Sequence, residues 1–238
     1  MEQDRQFTFD GSERLANGEP RDNLERNAMM KRLLIVSAGA FGREVLDWAL
    51  AVPINTRDWE VAGFLDDRKD VLIEKHCSYP ILGSPETYGL TDADRVVCAI
   101  GDPRTKLRYC HLLKNRGAKF VSVIHPTAII GSNTRIGEGC IFCPYTAIHN
   151  NVSVGNYVVF NDYSDAGHDA VIGDGCTLSG HVDVTGWVVL GEGVFLGSHA
   201  TVLPHVCVGD YAVVGAGSAV LKKVRPNATV IGVPAVEI

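Results

Sequence analysis

Residues 171–220 read VIGDGC TLSGHV DVTGWV VLGEGV FLGSHA TVLPHV CVGDYA VVGAGS AV, and the second place of every six is apolar. Those places are Ile172, Leu178, Val184, Leu190, Leu196, Val202, Val208, Val214 and Val220. Traced backwards, the frame continues without an insertion through Ala166, Phe160, Val154, Ile148, Phe142, Ile136 and Ile130 to Ile124. Four residues after each apolar place stands a small or β-branched residue, such as Cys140, Val158, Ala170, Cys176 or Ala212. Glycine often follows the apolar place directly, as at Gly131, Gly173, Gly191 and Gly215. Neither a helix period of 3.6 nor a strand period of 2 produces this pattern. Self-similarity at six residues predicts a left-handed parallel β-helix of hexapeptide repeats. Three short strands close a triangular coil of about 18 residues, and about five coils stack at the usual strand spacing of ~4.8 Å. The apolar residue fills the interior, the small one fits where the prism is tight, and Gly or Asn relaxes the turns.

Upstream, residues 31–124 alternate strand and helix. Leu33 to Val36 is a short apolar run of the kind found in buried parallel strands. It enters Ser37-Ala38-Gly39-Ala40-Phe41-Gly42 and then a helical stretch from Arg43 to Ala51. Further strands are expected at Val61 to Leu65, ending at Asp66-Asp67, at Val96 to Ile100, ending at Gly101-Asp102, and at Phe120 to Ile124. A second helix is expected from Arg104 to Asn115. Such alternation predicts a small Rossmann-like unit with a parallel sheet and right-handed crossovers. Residues 1–30 mix acids with arginines and show no apolar period, which predicts a disordered extension. Met29 or Met30 is a candidate natural start. The expected organisation is thus 1–30, 31–124 and a β-helix over 125–238.

The net charge of −6 argues against a nucleic-acid partner, because duplex affinity rests on neutralised phosphates. No apolar run is long enough to cross a membrane, and no signal peptide is evident. The seven cysteines are scattered and form no CxxC pair of pairs, which suits reduced thiols in the cytoplasm and no zinc site.

The hexapeptides together with Ser37 to Gly42, Leu65-Asp66-Asp67, Gly167-His168-Asp169 and the ending Gly232-Val233-Pro234-Ala235 resemble one family. It is the sialic acid O-acetyltransferase and nucleotide-amino-sugar N-acetyltransferase branch of the left-handed β-helix acyltransferases. The resemblance implies a homotrimer that moves an acetyl group from acetyl-CoA to an amine or hydroxyl of a sugar, nucleotide-linked, for surface-glycan biosynthesis. Acyl transfer needs a base, and histidine suits it because its pKa lies near neutrality. Of eight histidines only His168 is followed by an acid, Asp169, and the family's base is the His of such a pair.

By position the resemblance also implies cofactor contacts at Thr177, Gly186, Ser198 and Ala216, and a substrate contact at Asn161. Thr177 departs from relatives that carry His there. Lys222, Lys223 and Arg225 are candidates for the nucleotide's phosphates, while Val236-Glu237 replaces the basic residue that often follows the terminal motif. The acceptor is expected at the carboxyl ends of the strands, through Gly39, Phe41, Gly42, Asp66 and Asp67. Ser37 and Ala40 stand where the family's loop is glycine-rich, and Phe41 where some relatives have His. No metal is expected. His181 and His199 are 18 residues apart, so they stack on one edge as surface residues. A γ-carbonic-anhydrase-like metalloprotein, whose histidines include a pair two coils apart, and a non-catalytic trimeric scaffold are the alternatives.

Overall fold

The computed structural model describes residues 30–238, and Lys31–Ile238 form one compact unit. The expected disordered extension lies outside the described residues except for Met30. Strands β1 (Lys31–Val36), β2 (Trp59–Leu65), β3 (Ile81–Gly83) and β4 (Asp94–Cys98) make a parallel sheet in the order β3-β2-β1-β4. Helix α1 (Ala40–Ala51) follows β1 and α2 (Pro103–Asn115) follows β4. Successive side chains of β1 point to opposite faces. Leu33 and Ile35 pack with Val45, Leu46 and Ala49 of α1, whereas Leu34 and Val36 pack with Leu107, Cys110 and Leu113 of α2. A strand covered on both faces reads as a continuous apolar run, and this one does.

Two expectations shift. Phe120 to Ile124 is not a fourth strand of the sheet. Phe120 makes a single bridge to Val96, and Val123–Ile124 pairs with Ile141–Phe142 as the first rung of the solenoid. The sheet's remaining strand is β3, whose three residues are too short to show a period. Asp102 is a helix cap rather than part of a ligand edge: its carboxylate accepts the Thr105 amide at 2.8 Å, with Pro103 in the first helical turn.

From Val123 onward, two-residue strands recur every six residues, and those up to Thr201–Val202 pair in parallel with the strand 18 residues later. They stack into three sheets, which is the left-handed parallel β-helix. The hexad apolar residues from Phe142 to Val220 are buried along one continuous core. Ile124 and Ile130 are 36% and 37% exposed because no coil precedes theirs.

The glycines after the apolar places answer a need other than turn flexibility. A Cβ on Gly173 would lie 2.4 Å from the Gly191 carbonyl oxygen, and one on Gly197 would lie 2.6 Å from the Ala216 amide nitrogen. Coils 18 residues apart touch backbone to backbone there. The left-handed turns fall elsewhere, at every sixth residue from Asn133 to Gly217. Only four of these fifteen corner residues are glycine, at 139, 175, 193 and 217; the rest are Asn, Asp, Tyr, His or Trp.

Those corner residues align as three columns. Gly139, Tyr157, Gly175, Gly193 and Tyr211 face the α/β unit. Tyr157 meets Phe120 edge-on at 4.8 Å, Arg104 lies 4.3 Å over the Tyr211 ring, and a Cβ on Gly175 would strike Leu107 at 2.5 Å. The second column is an aromatic ladder, Tyr145–Tyr163–His181–His199, with ring centroids 4.6–5.0 Å apart. The third holds Asn133, Asn151, Asp169, Trp187 and His205. Among the described residues no helix is long and apolar enough to cross a membrane.

Candidate active site

His168 and Asp169 occupy the third column, and the sharp corner brings their side chains together. His168 Nδ1 lies 2.8 Å from Asp169 Oδ2, and the two side chains are 51% and 37% exposed. Asp169 sits in the left-handed region at φ 61°, which Asp tolerates better than most residues. Its other oxygen accepts from Asn151 Nδ2 at 3.3 Å, one coil earlier. One coil later, Trp187 meets the His168 ring edge-on at 4.3 Å and stacks on His205 at 4.8 Å. Gly186 is buried beneath the imidazole: a Cβ there would lie 2.7 Å from His168 Nε2. Asp169 therefore orients Nδ1, and Nε2 is the nitrogen left to exchange a proton. Sequence reasoning missed Asn151, Trp187 and His205. The signal was their spacing of 18 from Asp169.

Thr177 has a different place from the one expected. It is 2% exposed, accepts from Lys106 Nζ at 2.7 Å and donates to the Gly101 carbonyl at 2.8 Å. Lys106 is fully buried and also donates to the Cys176 carbonyl at 3.0 Å. Burial pushes its pKa down to about 8. This pair joins α2 to the β-helix, so Thr177 has no surface to offer a cofactor. Ser198 and Ala216 are exposed and stand on successive coils at the aromatic-ladder corner. Asn161 lies at that corner too, where its Oδ1 accepts the Cys143 thiol at 3.5 Å. Asn161 and His168 thus occupy successive corners of one coil. Arg225 pairs with Glu237 at 2.6 Å, while Lys222 and Lys223 are exposed.

A cavity of about 200 Å³ opens at the carboxyl ends of β1, β2 and β4, lined by Ser37, Asp66, Asp67, Arg68, Ile100 and Tyr109. A wider crevice of about 600 Å³ lies on the other side of Asp66-Asp67, toward Tyr79 and Ser84. Asp66 is buried and fully bonded. It accepts from the Ala38 amide at 2.8 Å, the Arg68 amide at 2.9 Å, and Arg68 Nε and Nη2 at 3.0 and 2.8 Å. Burial pushes its carboxyl up, but these bonds outweigh it and hold the pKa below the usual range. Asp66 therefore shapes the loop and has no lone pair left for a ligand. Asp67, against Tyr109 Oη at 3.2 Å, remains reachable.

Ser37 adopts the left-handed conformation at φ 79°, and its hydroxyl accepts from the Gly39 amide at 3.2 Å. Gly42 admits no side chain, because a Cβ would lie 2.0 Å from the Ser37 carbonyl oxygen. Gly39 is the N-cap of α1, and no side chain caps that end. Phe41 packs edge-on against Trp48 at 6.0 Å rather than lining the cavity. Among the described residues no group of three or more His, Cys, Asp or Glu could hold a metal. The His181 and His199 rings are stacked 3° from parallel, so their lone pairs lie in separate planes and do not converge on an ion.

Residues 32–113 match the PglD N-terminal domain, and residues 188–222 match the bacterial transferase hexapeptide repeats. No curated protein matches the chain. Among solved structures it is similar to PerB of Caulobacter crescentus, determined in complex with CoA and GDP-perosamine. The identity is 29% over 87% of this chain and 96% of that one, with a TM-score of 0.76. It is similar to WeeI of Acinetobacter baumannii AYE at 26% identity over 88% and 100%, TM-score 0.75. The acetyltransferase domain of PglB from Neisseria gonorrhoeae FA1090, solved with acetyl coenzyme A, shares the fold at 23% identity, covering 88% and 100%, TM-score 0.79. In its two matched domains and its solved relatives alike, the chain resembles the nucleotide-amino-sugar N-acetyltransferase branch of the left-handed β-helix family.

Proposed function

We propose that the protein is an acetyl-CoA-dependent acetyltransferase acting on a nucleotide-linked sugar for surface-glycan biosynthesis, with His168 as general base. The observation that carries this reading is the exposed His168–Asp169 pair, braced by Trp187 and seated over Gly186. The Asp169 carboxylate fixes the Nδ1–H tautomer, and Nε2 removes the proton of the attacking group and passes it to the departing thiol. No covalent acyl-enzyme is required, so no nucleophilic Ser or Cys is assigned. CoA-bound relatives support the donor, and the PerB complex supports a nucleotide-sugar acceptor.

In the α/β unit, Asp67 and Tyr109 suit hydroxyls or a base N–H, while the uncapped start of α1 and the Arg68 guanidinium suit phosphates. The working unit in this reading is a trimer. A threefold axis parallel to the β-helix preserves height, and Asn161 and His168 share one coil. The His168 corner of one copy would therefore face the Asn161, Ser198 and Ala216 corner of the next, with acetyl-CoA between them. The column packed on the α/β unit points outward in such an arrangement. A cytoplasmic location follows from the donor and the free thiols.

The test is thiol release from acetyl-CoA in the presence of a panel of nucleotide-linked sugars, with light scattering on the same preparation. Transfer to at least one of them by a trimer is expected. A monomer, or no transfer to any acceptor, would reject the reading.

A further inference from the structure

Lys106 is fully buried, and its Nζ bonds neutral oxygens, Thr177 Oγ1 at 2.7 Å and the Cys176 carbonyl at 3.0 Å. Its ionisable neighbours are the thiols of Cys98, Cys110, Cys140 and Cys176, and Asp102, whose carboxylate is spent on the cap of α2. Burying an amine without a paired carboxylate is costly, and a methionine would fill the same space. Packing alone gives no reason for a lysine at this position.

The hydrogen bonds of this amine lead to the α/β cavity. Thr177 Oγ1 donates in turn to the Gly101 carbonyl at 2.8 Å. Gly101 directly follows Ile100, which lines the cavity of about 200 Å³. Tyr109 lies one turn beyond Lys106 on α2. It donates to Asp67 Oδ2 at 3.2 Å, and both residues line the same cavity. Two further polar ties join α2 to the β-helix, Arg104 to Asn227 Oδ1 at 2.6 Å and Lys114 to Glu138 at 2.5 Å. Both are exposed, where water weakens them, whereas a broken buried bond leaves a polar group unsatisfied. The Lys106–Thr177–Gly101 chain is therefore the tie that sets α2 and the turn after β4 against the β-helix, half a coil from His168.

We propose that Lys106 is a positioning residue for the acceptor: through Thr177 it holds Ile100 and Tyr109 where the acceptor's nucleotide rests, in fixed relation to His168. This rests on the acyltransferase reading above and adds to it a residue that touches neither substrate nor cofactor. The role is one of binding, not of proton transfer. Loss of the Thr177 hydroxyl frees the Gly101 carbonyl and lets the turn and Tyr109 shift. The nucleotide then loses affinity, while acetyl-CoA, held by the β-helix in this reading, keeps its own.

The experiment titrates UDP, GDP, CMP and, separately, CoA onto the full chain by calorimetry. Its variants are Thr177→Val, Thr177→Ser and the double variant Lys106→Met, Thr177→Val. Wild type is expected to bind one of the nucleotides. Thr177→Val is expected to bind it about tenfold more weakly, the worth of one buried hydrogen bond, with CoA affinity unchanged. Thr177→Ser is expected to restore it. The double variant makes both partners apolar, so it folds even where the single variant leaves Nζ short of a bond. It too is expected to bind the nucleotide about tenfold more weakly. In turnover with the matching nucleotide sugar, KM for the sugar is expected to rise with kcat near wild type. Wild-type nucleotide affinity in the double variant, or a CoA affinity that falls in step with it, overturns the assignment and leaves the acyltransferase reading standing. So does a Thr177→Ser variant as weak as Thr177→Val. A wild type that binds no nucleotide, yet transfers acetyl from acetyl-CoA to a free sugar, removes the nucleotide-linked acceptor and this assignment together.

Discussion

Replacing Gly186 with Ala separates the seating of the base from every other role of that corner. The added methyl would lie 2.7 Å from His168 Nε2, 2.8 Å from Cε1 and 3.2 Å from Cδ2. Carbon contacts settle near 3.5 Å, so the ring must retreat by roughly 0.7 Å. It cannot do so and keep both the 2.8 Å bond to Asp169 and the 4.3 Å contact with Trp187. A misplacement of about 1 Å lowers turnover by about 10²-fold, or ~2.7 kcal/mol of transition-state stabilisation. Stability should hardly move. The obstacle is an exposed side chain, and Gly186 is not in the left-handed region, so Ala brings no backbone strain. The assay is thiol release at saturating acetyl-CoA, with CoA titration and thermal melting on the same variant. Combining Gly186→Ala with His168→Ala should give no loss beyond that of His168→Ala alone. Full activity in Gly186→Ala refutes the argument. So does weakened CoA binding with undiminished turnover, because Gly186 would then serve the cofactor instead.

His168→Ala should lower kcat by ~10²–10⁴ with CoA affinity near wild type; a fully active variant at neutral pH would move the role to another histidine. Lys106 carries a pKa near 8 against 10.5 for the free side chain, so between those values the unfolded chain binds the extra proton. Wild-type stability should therefore rise by about 3 kcal/mol from pH 8 to 10.5, and Lys106→Met should abolish the rise. Chemical denaturation at fixed pH steps measures both. Asp165 stands beside Asp183 on adjacent rungs, and burial followed by that neighbour's charge pushes it up to about 7. Here the folded chain holds the extra proton, so stability should fall as pH climbs from about 4 to 7. Asp165→Asn should raise the Tm at pH 7.5 and leave it unchanged at pH 4.

The solenoid was legible in the sequence because its energetics are local and repeated. One interior place per hexad must be apolar, and one place must be small. Both constraints survive as a period of six from Ile124 to Val220. The adjacency of His168 and Asp169 was legible and the family resemblance singled it out, but whether Asp169 itself meets the ring was decided by the corner, with Asp169 at φ 61°. The bulk of the α/β unit was legible from β1, whose two buried faces forbid polar residues.

What the sequence did not contain was the meaning of contacts between coils and between elements. The glycines that follow many of the apolar places looked like turn chemistry, and only approaches of 2.4–2.6 Å, as at Gly173 and Gly197, revealed the backbone of the next coil against them. Asp66 and Asp67 read as twins, yet tertiary structure gave the first to Ala38 and Arg68 and left the second to solvent and Tyr109. Thr177 aligned with a cofactor position, but the fully buried Lys106, 71 residues away in the chain, claims its hydroxyl. Period and composition report what each residue needs from its own place in a repeat. Hydrogen-bond ownership and close approach depend on residues distant in sequence, and only the folded chain decides them.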